Sequence, residues 1–157
     1  MTPGRRTLGY ESFEEVMPDV ERLLEGHTTV GNWTLAQICR HLADILRRHV
    51  DLPASTTFDP SDRVSEDQKR WVLETGILPE GIGAPPGARP EATLSEPEEA
   101  EGLRAAIAYY RASPGPFIPH RILGPLTRDE WDRFELAHLA HHLSFAVPMA
   151  ADSRSPP

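Results

Sequence analysis

Five times along the chain a serine or threonine stands three residues ahead of a glutamate or glutamine, just before apolar side chains begin to recur every three or four positions. The pairs are Ser12–Glu15, Thr34–Gln37, Ser65–Gln68, Ser95–Glu98 and Thr127–Glu130. In such a pair the hydroxyl accepts from a backbone N–H in the first helical turn. The acid or amide reaches back to the N–H of the cap, so two otherwise orphaned donors are satisfied. One match would mean little. Five in register with a 3.6-residue period commit the chain to helices.

The first helix is expected over about 13–25, with Phe13, Val16, Val20, Leu23 and Leu24 on one face and Gly26 as its stop. The second is expected over about 34–51, with Leu35, Ile38, Leu42, Ile45, Leu46 and His49 in its apolar stripe and Pro53 blocking continuation. A short helix over about 65–75 ends at Gly76. A fourth over about 96–112 carries Pro97 in its first turn, where proline is tolerated, and the stripe Ala100, Leu103, Ile107, Tyr110. The fifth runs over about 128–147 and stops at Pro148.

Two connections interrupt this pattern. Residues 77–94 are rich in proline and glycine and support no regular element. Residues 113–126 are proline-rich too, but Phe117, Ile118, Ile122 and Leu123 imply a loop packed on the domain. No sustained period-2 alternation and no glycine-rich phosphate loop is present. The expected class is all-α, a four-helix bundle with one extra short helix. It forms a single domain over 1–150, followed by a disordered tail at 151–157.

Composition narrows function more than fold. With 24 acidic against 16 basic residues the net charge is −8, which disfavours nucleic acid and anionic membranes as partners. Basic runs such as Arg5–Arg6 and Arg47–Arg48 are short. The single cysteine, Cys39, cannot form an internal disulfide and suits a helix-packing role. The start of the chain has no secretory pattern, and no run approaches the roughly 20 apolar residues that span a bilayer. The expected location is the cytoplasm. Trp33, Trp71 and Trp131 are expected as core anchors.

The chemistry concentrates in Arg133–Pro148, "RFELAHLAHHLSFAVP", where three of the seven histidines fall within five residues. At 100° per residue, His138 and His142 stack one turn apart, in the middle of a face with Trp131, Phe134 and Phe145. His141 falls at the edge of that face. Two imidazoles in an apolar face cost several kcal/mol unless both are satisfied, roughly 2–7 kcal/mol per unpaired polar group. Ordinary hydrogen bonds can do this, and so can one divalent cation, on which i, i+4 imidazoles converge at about 2.0–2.1 Å. Three histidines are candidates for a third ligand: His41 on the flank of the second helix, His49 near that helix's end, and His120 in the loop. His27 follows the first helix and is expected to be solvated. Asp44, one turn from His41, can orient that ring, and Glu135, one turn from His138, can orient its ring or act as a base; either can instead remain solvated. Glu135–His138 is one Glu-x-x-His pair, whereas a di-iron bundle needs two. Leu139 stands where the zincin motif has its glutamate base.

The stretches "GNWTLAQICRHLA", "LGPLTRDEWDRFELAHLAHHLSF" and "RRTLGYESFEEV" together resemble a bacterial branch, known only as a domain of unknown function, of the DinB-like superfamily of metal-binding bundles. The resemblance covers nearly the whole chain to Pro148. It implies an up-down-down-up four-helix bundle, often a homodimer, with one divalent ion, commonly zinc or nickel. The ion is held by three histidines that carry over to His41, His138 and His142. Some superfamily members are transferases or isomerases that use a low-molecular-weight thiol. Where many members continue His-His-Arg-Gly-Gln, this chain reads "HHLSFAVP", which leaves any thiol cofactor and substrate unassigned.

The reading that follows is a divalent-metal-binding protein acting on a small molecule, as a metal-dependent hydrolase or a thiol-dependent S-transferase. The alternative is a non-catalytic bundle whose histidines or metal serve stability only. A fourth protein ligand, from His120, His141 or Glu135, would close the site and favour that alternative.

Overall fold

The computed structural model describes residues 2–78 and 90–149. Helices start where the capping pairs stand. Val16–Glu25 forms α1 after a single 3-10 turn at Phe13–Glu15, and Leu35–Asp51 forms α2. Glu66–Thr75 forms α3, Glu96–Ala112 forms α4 and Arg128–Leu143 forms α5. Thr34, Ser65 and Thr127 each close a capping box with the residue three positions on. At Ser95 only the hydroxyl half is made, and at Ser12 the Glu15 carboxylate accepts from the Ser12 N–H at 2.8 Å. Gly76 ends α3 in the left-handed region at φ 69°, where only glycine sits without strain.

The chain is mostly helical but not wholly so. His27–Thr29 forms a strand, β1, that pairs antiparallel with β2, Ala146–Pro148. The last helix therefore ends at Leu143, four residues earlier than its periodicity predicts. Three-residue strands are too short to show a period-2 pattern. Their pairing is settled by partners distant in sequence, including Val30 N–H donating to the Phe145 carbonyl at 2.9 Å. Among the described residues no helix is long and apolar enough to cross a membrane. The central part of the proline-rich stretch, 79–89, and the tail 151–157 lie outside the described residues.

The core is built on α2 against α4, joined by α1 and α5. Leu35, Ile38, Leu42 and Leu46 of α2 meet Leu103, Ala106, Ile107 and Tyr110 of α4, all buried. Val16, Val20 and Leu23 of α1 close one side, and Leu139 and Leu143 of α5 another. Leu24, expected on the core face of α1, is instead exposed. Cys39 packs in this core, and burial pushes its thiol up to about 12, so it is an apolar filler and not a nucleophile. Trp131 is an anchor as expected, whereas Trp71 is 45% exposed on α3 and stands outside the core cluster.

The paired arginines near the start are consumed internally. Arg6 forms a two-pronged bond to Asp19, at 2.9 and 3.0 Å, and a third to the Leu143 carbonyl. Arg5 donates to Ser144 Oγ at 2.6 Å and lies over the Phe145 ring. These residues strap the N-terminal segment across the end of α5.

Candidate functional site

Helix α5 presents two faces to the protein. Leu139 and Leu143 enter the core, while Trp131, Phe134, His138 and His142 face a cavity of about 230 Å³. The face expected to be core thus serves twice, since Trp131 belongs to the core cluster and also borders the cavity. The opposite wall comes from α2 through His41, Ile45 and His49. The loop before α5 supplies Ile118, His120 and Ile122, and α3 supplies Val72. The cavity is predominantly apolar; its imidazoles gather in two places, and Arg48 and Arg121 also line it.

The first gathering is His41, His138 and His142. One ring nitrogen from each lies within 4.8 Å of the others. His138 Nε2 and His142 Nε2 are 3.1 Å apart. Two neutral imidazoles satisfy that contact only when one donates and the other accepts. Two ligands at about 2.05 Å from a common point and 3.1 Å from each other subtend about 98° there, close to a tetrahedral angle. The donor set, three imidazoles and no thiolate, suits zinc, copper or nickel. Burial is the main influence on both α5 rings, and it holds His138 and His142 well below the ordinary histidine range. Neighbouring imidazoles push the same way, and for His142 so does Arg5. Both rings touch the cavity yet lie deep, so their charged forms are poorly solvated. Their lone pairs are therefore free of protons at neutral pH, as a metal requires.

Aromatic neighbours fix these rings. Trp33 stacks on His142, with centroids 5.8 Å apart and planes 9° apart, and meets His41 edge-on at 5.1 Å. Phe134 stacks on His138 at 5.7 Å. Trp33 is thus a wall of the histidine cluster and not simply a core residue. His141 lies outside the cluster, its Nδ1 2.9 Å from the Arg5 guanidinium.

The second gathering joins His49, Glu135 and His120. Glu135 is fully buried, with 0% exposure, and its Oε1 bonds His49 Nδ1 across α2 and α5. The other carboxylate oxygen, Oε2, has no hydrogen-bond partner among the described residues. The expected solvated or ring-orienting roles of Glu135 toward His138 are both overturned. Three residues beyond Asp132, it turns inward and its partner is His49. Asp44 does not orient His41 either. It is exposed and pairs with Arg40 at 3.2 Å. His120 is buried in a tight turn, with Nδ1 accepting from the N–H groups of Ile122 and Leu123, both at 3.1 Å. Those bonds leave its hydrogen on Nε2 and make it a poor metal ligand. Paired hydrogen bonds to Gly124, at 2.8 Å each way, hold that turn, and Gly124 adopts φ 77°. His27 is likewise not simply solvated, because its Nδ1 meets the Leu23 carbonyl at 2.9 Å.

None of the three further candidates thus joins the histidine cluster. His120, His141 and Glu135 each have another partner. Sequence spacing could not have revealed the His49–Glu135 pair, since 86 residues separate its members.

These features define a helical protein in which a three-histidine cluster opens on an apolar cavity. A family model described as a protein of unknown function (DUF1569) matches residues 3–52 and 76–149, and the chain belongs to that family. No curated protein and no solved structure matches the chain. The unmatched interval, 53–75, contains α3 and contributes Phe58, Val64 and Val72 to the cavity wall.

Proposed function

We propose that His41, His138 and His142 hold one divalent cation, zinc or nickel, in a four-helix bundle of the DinB-like kind, and that the protein uses it on a small molecule entering the cavity. The reaction classes proposed are metal-dependent hydrolysis and S-transfer with a low-molecular-weight thiol. One observation carries the reading. Ring nitrogens from helices about 100 residues apart meet within 4.8 Å, at the border of an apolar cavity. When bound, such a cation supplies Lewis acidity, which lowers the pKa of water or a thiol presented to it.

The chain's own residues supply the rest. Trp33 and Phe134 fix the imidazole planes, and burial keeps His138 and His142 neutral. The apolar lining limits the water that can reach the site. A cation serving only to staple helices would need no adjoining cavity, and no fourth protein ligand meets these three among the described residues. That favours a working site over a purely structural one. The DinB-like reading also carries a cytoplasmic homodimer, which sedimentation can check.

Elemental analysis of protein purified without chelator tests the proposal. About one divalent ion per chain is expected, with loss of that ion in His142→Ala. A metal-free chain whose stability is unchanged by added zinc or nickel would refute it.

A further inference from the structure

The cavity has a second polar feature that the cation site does not use. His49 gives its Nδ1 to Glu135, while its Nε2 has no hydrogen-bond partner among the described residues. The ring lines the cavity, packed between Trp131 at 5.0 Å, His120 at 5.2 Å and Phe134 at 6.1 Å. A carboxylate on Nδ1 keeps the hydrogen there, so the lone pair belongs to Nε2. Glu135 has no exposure, and among the described residues no arginine or lysine pairs with it. Its Oε2 is an orphan acceptor. A buried carboxylate with one free oxygen is costly unless a positive charge forms beside it. The imidazolium of His49 is that charge. His120 adds the complement, because its backbone bonds through Nδ1 leave Nε2 as a donor in the same wall.

We infer that His49 and Glu135 form a proton-accepting dyad for a small, largely apolar molecule bearing one acidic hydroxyl or thiol. The proton passes from the ligand's O–H or S–H to His49 Nε2, leaving an alkoxide, phenolate or thiolate. The new imidazolium is balanced by Glu135, and His120 Nε2–H is placed to hydrogen-bond the anion. No electron is transferred and no bond other than the O–H or S–H is broken. The ligand's size follows from the cavity. At about 230 Å³ it exceeds the roughly 150 Å³ that admits benzene, so a single substituted ring fits. The dyad stands on the cavity and not on the cation.

The test uses the full chain in excess chelator, so the cation does not enter, with 4-nitrophenol as probe. This phenol colours only when ionised, and its binding quenches fluorescence from Trp33 and Trp131. At a pH below the free phenol's own pKa, the bound probe should show the phenolate band. His49→Gln should bind the probe but lose the band, and Glu135→Gln should weaken it several-fold. Nitrogen-15 spectra of the unaltered chain should show His49 protonated at Nδ1 and bare at Nε2, which decides the matter even if His49→Gln fails to fold. A phenolate band that persists in His49→Gln, a probe that binds only neutral, no binding at all, or a hydrogen on His49 Nε2 would each overturn the dyad. A chain that ionises the phenol in chelator but, purified without chelator, holds no metal and gains no stability from added zinc or nickel would instead sink the cation reading alone.

Discussion

Removing His49 and removing Glu135 should not cost the same, although the two residues share one hydrogen bond. Consider His49→Ala first. Glu135 then keeps a carboxylate at 0% exposure with both oxygens unpartnered. Leaving a buried acceptor without its donor costs about 1–3 kcal/mol, and more when the acceptor is a charged carboxylate. His49 borders the cavity, so some water can enter in its place, which keeps the loss near about 3 kcal/mol. Now consider Glu135→Met. The charge-assisted bond, worth about 1.5–3 kcal/mol, is lost, but so is the penalty of the orphan Oε2, about 1–3 kcal/mol. The exposed His49 Nδ1 can turn to cavity water. These terms nearly cancel, leaving a change within about 1 kcal/mol. At roughly 2–4 °C per kcal/mol for a chain of this size, Tm should fall by about 6–12 °C in His49→Ala and by less than about 4 °C in Glu135→Met. Thermal melts read the Tm values, and urea denaturation followed by tryptophan fluorescence reads the free energies, both in excess chelator to remove metal linkage. Equal losses, or a loss under about 1 kcal/mol in His49→Ala, would refute the picture of a buried carboxylate dependent on one imidazole.

Three further outcomes are expected. Zinc at about 100 times its Kd should stabilise the unaltered chain by about 2.7 kcal/mol, and His138→Ala or His142→Ala should abolish that gain in a thermal melt. Burial holds His120, His138 and His142 below their unfolded pKa of about 6.5, so in this range the unfolded chain binds more protons. Metal-free stability should therefore be flat above that pH and fall below it, by up to about 1.4 kcal/mol per pH unit per histidine; a midpoint unchanged between neutral and mildly acid pH would contradict this. Leu103→Ala, at the centre of the α2–α4 contact with 0% exposure, should cost about 2–5 kcal/mol by chemical denaturation while leaving zinc binding intact.

The helices were legible because their determinants are local. A threonine at position 34 and a glutamine at 37 close a capping box within one turn, and the stripe from Leu35 to Leu46 has the helical period. Helical geometry alone likewise placed His138 and His142 one turn apart and His141 off their face, as the structure has them. The end of α5 was not legible. The pairing of Ala146–Pro148 with His27–Thr29 depends on contacts across most of the chain, and periodicity contains no trace of them. Helical periodicity also cannot say which apolar face meets core and which meets a cavity. Trp131, Phe134 and His138 follow the same rule as Leu139 and Leu143, yet the first set also lines the cavity.

By itself, then, the sequence determined helix positions and the spacing that brings two imidazoles together, since both follow from interactions within a turn or two. Tertiary structure decided which distant group each polar residue meets. His41 joins His138 and His142, Glu135 meets His49, His120 turns into its own loop and Asp44 is left with Arg40. A side chain's partner across helices is set by helix rotation and crossing. Those are collective outcomes of core packing that no local pattern encodes.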